Sequence, residues 1–140
     1  MAYGEGADPR NATLKAATTV SGPGYLLTND STNNTLDLCA VSEICIGVSA
    51  GESSRDADQA YETSGATVAY YPMGGVLMVA ATASQAWTTG ATVYIASSGL
   101  ATTASASSAK KLGLYVGEGQ TTGSADGDLI AVNTMGAAIA

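Results

Sequence analysis

Two cysteines are the residues of this 140-residue chain whose type most readily suggests chemistry. Cys39 and Cys45 lie six positions apart, and the chain contains no histidine. A zinc site needs about four ligands, which two thiols without a histidine do not complete. The spacing also allows a disulfide across a tight hairpin, but we favour two small buried thiols that stay reduced.

Closely spaced carboxylates form the second candidate. Asp126–Asp128 (Asp-Gly-Asp) can offer oxygen ligands to Ca²⁺, although an Asp-Gly pair before an apolar run is also typical of a hairpin turn, which we favour. The acids Glu52, Asp56, Asp58 and Glu62 would approach one another on a helix, and there we favour a solvated surface over paired catalytic carboxylates. The sequence therefore predicts no metal site and no cofactor.

The usual signatures of an enzyme are missing. Without histidine there is no Ser-His-Asp or Cys-His pair, and no GxxxxGK[ST] phosphate loop occurs. Gly117-Glu118-Gly119 lacks the third glycine of a dinucleotide fingerprint. We therefore predict a protein that is not an enzyme.

Five aromatic side chains can be read in two ways. They can line a carbohydrate-binding face, or they can fill a core that has no phenylalanine, and we favour the core or a subunit interface. Two of them, Tyr70 and Tyr71, would point to opposite faces of a sheet if both lie in one strand. The five residues are Tyr70, Tyr71, Trp87, Tyr94 and Tyr115.

Charge and hydropathy limit the partners. The net charge is −7, with five basic and twelve acidic residues, which opposes binding to nucleic acid or to anionic membranes. The N-terminal residues lack the pattern of a signal peptide, and no apolar run approaches the ~20 residues of a membrane span. We expect synthesis in a host cytoplasm.

Short apolar, β-branched runs alternate with turns rich in Gly, Ser and Asp, and they predict about eight to ten strands with little helix. The fold class is therefore all-β: a small antiparallel β-barrel, β-tulip or sandwich with an extended N-terminal arm. Residues 1–20 are predicted to form the arm, and residues 21–140 a single β-rich domain. The main predicted strands are Thr13–Val20, Tyr25–Thr28, Leu36–Val41, Ile44–Ser49, Thr67–Tyr71, Val76–Thr82, Thr92–Ala96, Leu112–Val116 and Leu129–Thr134, with a weak one within Leu100–Ser108.

The pattern from Leu36 to Thr134 resembles the capsid decoration, or cement, proteins of tailed bacteriophages. The resemblance is carried by AWTTGATVYIASSGLATT, KKLGLYVGEG and DGDLIAVNT. These segments contain a Gly-x-x-Val-Tyr strand at Gly90–Tyr94, a turn at Gly99, and a closing strand within Asp126–Val132.

The resemblance implies a structural protein that binds the outer surface of an icosahedral capsid and stabilises the shell. Its partners would be the major capsid protein and two further copies of itself in a trimer, which suits a core rich in alanine. An extended N-terminal arm would grip the shell, with Tyr3, Pro9, Arg10, Leu14 and Lys15 as the candidate contacts. The alternative function is a carbohydrate-binding or adhesive domain of a phage fibre or tail.

Overall fold

The structure is a computed structural model that describes residues 8–30, 34–55, 60, 65–106, 108–119 and 125–137. Strands make up 45% of it and helix 5%, which confirms the all-β prediction. Two single 3₁₀ turns, Ser97–Gly99 and Thr134–Gly136, are the helical elements of these ranges. The strands are β1 (Arg10–Thr13), β2 (Leu26–Asp30), β3 (Thr35–Leu38), β4 (Gly47–Ser49), β5 (Thr67–Pro72), β6 (Val76–Ala81), β7 (Thr92–Ile95), β8 (Ala101–Thr102), β9 (Lys111–Gly119) and β10 (Asp128–Asn133).

The C-terminal five strands close into a barrel in the order β10-β6-β8-β7-β9. All of its pairings are antiparallel except that of β6 with β8, which run parallel where Ala81 meets Ala101. The predicted β-barrel is thus confirmed. Closure removes free strand edges from this half of the molecule.

The remaining strands form an antiparallel sheet in the order β1-β5-β4-β2-β3. Its two outer strands converge just beyond β1, where a parallel bridge joins Leu14 to Leu36 and the Lys15 amide donates to the Leu36 carbonyl at 2.8 Å. The sheet therefore curls until its opposite ends meet at one point.

Apolar residues pack in two clusters, which explains why this sheet carries large side chains on both faces. The barrel core consists of Leu26, Cys39, Cys45, Val48, Leu77, Val79, Ala81, Trp87, Val93, Ile95, Ala101, Leu112, Tyr115, Ile130 and Val132. The sheet core consists of Leu14, Val20, Leu27, Leu36, Ala66 and Val68.

Adjacent side chains of one strand enter different cores, because they point to opposite faces of the sheet. On β2, Leu26 enters the barrel core and the next residue, Leu27, enters the sheet core. On β5, Tyr71 packs against the barrel core and Tyr70 against the sheet core, which confirms that these two rings point to opposite faces. The sheet is therefore a shared layer that is apolar on both sides.

Gly24 joins the sheet to the barrel by a close approach of backbone. The Ala80 amide of β6 donates to the Gly24 carbonyl at 2.8 Å, and the Gly24 amide donates to the Ser49 carbonyl at 2.8 Å. Gly24 has φ +91°, and a Cβ there would lie 2.7 Å from the Ala80 nitrogen. Only glycine fits both the dihedral angle and the gap.

The first predicted strand, Thr13–Val20, is wrong in extent. The strand predicted at Thr13–Val20 ends at Thr13, because the chain turns at Ala17, whose φ is +64°, and Thr18 donates back to the Lys15 carbonyl. The weak strand predicted within Leu100–Ser108, followed by a loop, is the two-residue β8, and no strand occupies residues 103–106. The run of small residues there offers little side-chain area to hold a longer strand against its neighbours.

Candidate functional site

The residues predicted to contact a partner do not form one exposed arm. Pro9, Arg10 and Lys15 are exposed, and Tyr3 lies outside the described residues. Arg10 belongs to β1, which pairs with β5 of the same chain. Leu14 is 0% exposed and packs in the sheet core, so it stabilises its own domain and is not accessible to a partner. From Arg10 to Leu14 the predicted arm is part of the sheet.

The outer edge of β1 is the candidate partner-binding site that these positions define. The Leu14 amide donates to the Ala66 carbonyl of the strand beside it, so by alternation Arg10 and Ala12 also face β5. The amides of Asn11 and Thr13 consequently point away from β5. Within the part of the chain that the structure describes, β3 approaches the C-terminal end of β1 at the Leu14–Leu36 bridge, but no strand forms a ladder with the outer edge of β1.

Pro9 and Lys15 limit the length over which a further strand could bond to this edge. Pro9 occupies the next outward-facing position and has no amide hydrogen, so the row of donors ends there. At the other end, Lys15 bridges to Leu36, and its ammonium lies 3.9 Å from the Asp37 carboxylate. The edge thus presents two outward amides, those of Asn11 and Thr13.

On β3, at the opposite edge of the same sheet, a carboxylate occupies an outward backbone amide. Asp37 Oδ1 accepts from the Leu38 amide at 2.8 Å and from the Thr18 hydroxyl at 3.2 Å. The Leu36 carbonyl is already occupied by Lys15. Sequence reasoning missed this asymmetry because it placed the first strand at Thr13–Val20 and so did not establish which residues face outward.

The Asp-Gly-Asp segment is a turn, as the favoured interpretation had it. Asp126 Oδ1 accepts from the Ala83 amide at 2.7 Å, and Asp128 Oδ2 accepts from the Ala125 amide at 3.4 Å. Gly127 has φ +97°. The two carboxylates therefore accept from backbone amides, one beside the turn and one in the segment that follows β6.

Most of the acidic cluster lies outside the described residues. Glu52 is exposed, and Asp56, Asp58 and Glu62 lie outside the described residues. Across the described ranges, no group of three or more His, Cys, Asp or Glu residues is placed to hold a metal ion.

The aromatic residues divide between core and surface. Trp87 and Tyr115 are 6% and 1% exposed, and their ring centroids lie 5.7 Å apart in the barrel core. Neither the Trp87 Nε1 nor the Tyr115 hydroxyl has a protein hydrogen-bond partner. Tyr70, Tyr71 and Tyr94 are half-buried. Two of the five rings proposed for sugar stacking are thus enclosed by their own chain.

The two cysteines are free thiols buried in the barrel core. Their hydrogen bond to each other raises the pKa of the Cys39 thiol well above its usual range, and burial and the charges of Cys45 and Glu43 add to the effect. Burial opposes ionisation of Cys45, but hydrogen bonds with Cys39 and with the backbone of Gly47 and Leu27 lower its pKa. The favoured interpretation, buried and reduced thiols, agrees with the structure.

Comparison with known proteins gives no family. No protein-family model matches the chain, and no curated protein matches it at a significant level. Among the described residues, no helix is long and apolar enough to cross a membrane.

Proposed function

We propose that this protein is a structural component of a tailed bacteriophage that binds the outer surface of the icosahedral capsid and stabilises the shell. The observation that carries the proposal is the exposed outer edge of β1, with the amides of Asn11 and Thr13 directed away from β5. A strand of the major capsid protein can add to such an edge through main-chain hydrogen bonds. The N-terminal residues before Arg10 would extend this contact as the arm.

The barrel supports the proposal through the segments that resemble decoration proteins. The Gly90–Tyr94 segment leads into β7, the Gly99 turn precedes β8, and Asp126–Val132 leads into β10. The resemblance therefore falls on strands of one closed barrel. A closed barrel is a rigid platform, and it leaves the attached sheet to supply the contact.

Charge supports an exterior position on the particle. The net charge of −7 disfavours the DNA-facing interior, because binding there requires cations that displace counterions. A weak contact through a short edge suffices on a shell, since many symmetry-related copies act together.

Electron microscopy of the parent particle tests the proposed location. We expect density for the barrel and sheet on the outside of the shell in wild-type particles and its loss in particles from a deletion strain. Exterior surfaces that are identical in the two particles would contradict the proposal.

Adding back purified protein tests the role of β1. Particles that lack the protein should release DNA at a lower temperature, and wild-type protein should restore the release temperature. Asn11→Pro, which removes one outward amide, should restore it less well at equal concentration. Ser105→Pro, at an exposed loop position, is the matched control and should behave as wild type. Equal restoration by both variants would exclude the β1 edge as the contact.

We also propose that the protein is a trimer, in line with the resemblance. Two large apolar side chains near the end of the barrel, Leu114 (41% exposed) and Met135 (75%), support subunit contacts there. Light scattering at micromolar concentration should give the mass of three chains. A monomer at all concentrations would contradict the assignment.

The alternative of a carbohydrate-binding or adhesive domain stays a prediction from the sequence. Tyr70, Tyr71 and Tyr94 retain partial exposure, whereas Trp87 does not. Specific binding on a glycan array that is lost on Tyr94→Ala would favour this alternative over capsid binding.

A further inference from the structure

Three sulfur atoms converge at the edge of the barrel core. The Cys45 Sγ lies 3.6 Å from the Met73 Sδ and 3.1 Å from the Gly47 carbonyl oxygen, and the thiol of Cys39 is buried in the same core cluster. The three residues come from separate segments: Cys39 follows β3, Cys45 precedes β4, and Met73 lies in the turn between β5 and β6. Cys39 and Cys45 are buried, while Met73 is half-buried and packs against the same core.

This spacing suits sulfur ligands of one metal ion. Metal–thiolate bonds are about 2.3 Å long, so two sulfurs on one ion in tetrahedral or trigonal geometry lie roughly 3.7–4.0 Å apart. The measured separation of 3.6 Å between Cys45 and Met73 needs only a small adjustment to match.

The chemical types of the three ligands determine which metal ion the site favours. Thiolate and thioether sulfurs are soft donors, and a set with two thiolates, one thioether and no oxygen or nitrogen favours Cu(I) over the divalent ions. We propose that Cys39, Cys45 and Met73 form a binding site for a single Cu(I) ion. On binding, the two S–H bonds break and two protons leave to solvent. Two Cu–thiolate bonds and one Cu–thioether bond form, and copper remains in the +1 state.

The surroundings of the sulfurs favour entry of a cation. Cys39 Sγ lies 3.7 Å from the Ala40 carbonyl and 3.6 Å from the Glu43 carbonyl, so it sits directly beneath the turn that joins the two cysteines. Ala40 is exposed, and the Glu43 carboxylate accepts from its amide at 2.8 Å. The Cys39 thiol is therefore one residue from an exposed backbone position, and the Glu43 side chain adds negative charge beside it.

A titration of fully reduced, oxygen-free protein with Cu(I), in competition with a chromogenic Cu(I) chelator, tests the site. We expect one Cu(I) per chain, and X-ray absorption that shows sulfur ligands alone. Even outer-shell partners of a metal ligand contribute about 10–100-fold to affinity, so loss of Cys45 in Cys45→Ser should weaken binding by at least as much. Cys39→Ser should behave likewise.

Met73→Leu is the sharper variant, because it removes one sulfur at nearly constant volume and leaves both thiols in place. It should weaken Cu(I) binding and lower the number of sulfur ligands, whereas Met135→Leu, at an exposed methionine, should match wild type. The inference is overturned if reduced wild-type protein binds no stoichiometric Cu(I). It is also overturned if Met73→Leu and Met135→Leu bind alike, since the ion would then be held by the thiols alone. Circular dichroism of each variant verifies that the fold is retained.

Discussion

At the scale of single residues, Ser49 shows how a small buried hydroxyl holds a turn against the sheet. It is 0% exposed, and its Oγ accepts from the Tyr25 amide at 2.9 Å and donates to the Gly22 carbonyl at 2.8 Å. One side chain thus satisfies two backbone groups of the turn that carries Gly24 to the barrel.

Ser49→Ala should lower the free energy of unfolding by about 1–3 kcal/mol, because both backbone groups lose their partner. Chemical denaturation measures the change. Ser42→Ala, at an exposed position in the turn between the cysteines, should shift it by less than about 0.5 kcal/mol. Equal effects of the two variants would show that the buried hydroxyl does not hold the turn.

Several residue-level predictions from sequence hold because they follow from composition. In a chain without phenylalanine, Trp87 and Tyr115 are needed in the core, and both lie there. The contact between Met73 and Cys45 could not be predicted from the sequence. It depends on how the β5–β6 turn folds over a segment 28 positions earlier, and no local pattern encodes that contact.

At the scale of elements, the backbone amides of β1 alternate between bonding to β5 and facing outward. Arg10 and Ala12 bond to β5, while Asn11 and Thr13 face outward, so adjacent positions of one short strand have different tolerance to proline. A proline in a sheet is accepted only where the missing amide hydrogen is not part of the ladder.

Asn11→Pro should therefore leave the thermal unfolding temperature close to that of wild type. Ala12→Pro removes a ladder hydrogen bond to Val68 and should destabilise the protein by about 1–3 kcal/mol. Differential scanning calorimetry of the pair distinguishes them. The opposite order of stability would mean that the outward face has been assigned to the wrong residues.

The strands themselves were largely predictable, and their order was not. Alternating or β-branched runs marked β2, β5, β6, β7 and β10, with ends a few residues off. The β1 segment, Arg-Asn-Ala-Thr, has no apolar alternation, since it is an exposed edge whose burial comes from Leu14 just beyond it. The parallel contact of β6 with β8 joins segments far apart in the chain, and turn chemistry gives no sign of it.

At the scale of the whole molecule, the sheet and the barrel depend on each other through shared residues. Leu26 and Val48 of the sheet lie in the barrel core. The Cys39 carbonyl accepts from the Gly99 amide, and the Lys110 amide donates to the Val41 carbonyl, so the backbones are also joined at the cysteine turn. A change that destabilises the sheet should therefore also destabilise the barrel.

Truncations of the N-terminus measure this dependence. Deletion of residues 1–9 removes the proposed arm and leaves β1, so we expect an unchanged fold and weaker binding to the shell. Deletion of residues 1–14 also removes β1 and the buried Leu14. It should lower the free energy of unfolding by about 2–5 kcal/mol or more.

Denaturation followed by intrinsic Trp87 fluorescence reports the barrel directly, because that ring lies in the barrel core. A fully stable protein after loss of residues 1–14 would show that the sheet core does not need Leu14. Unfolding after loss of residues 1–9 alone would show that the arm is part of the domain.

The bridge between Leu14 and Leu36 has a consequence for how copies can associate. Open-ended growth by strand addition requires each molecule to accept a strand at one edge and offer an equivalent edge to the next. In the described part of this chain the barrel is closed and the β3 edge is occupied by Asp37 and Lys15, which leaves the short β1 edge. A molecule with one such edge can attach to a surface at high density, but strand addition does not continue from one copy to the next.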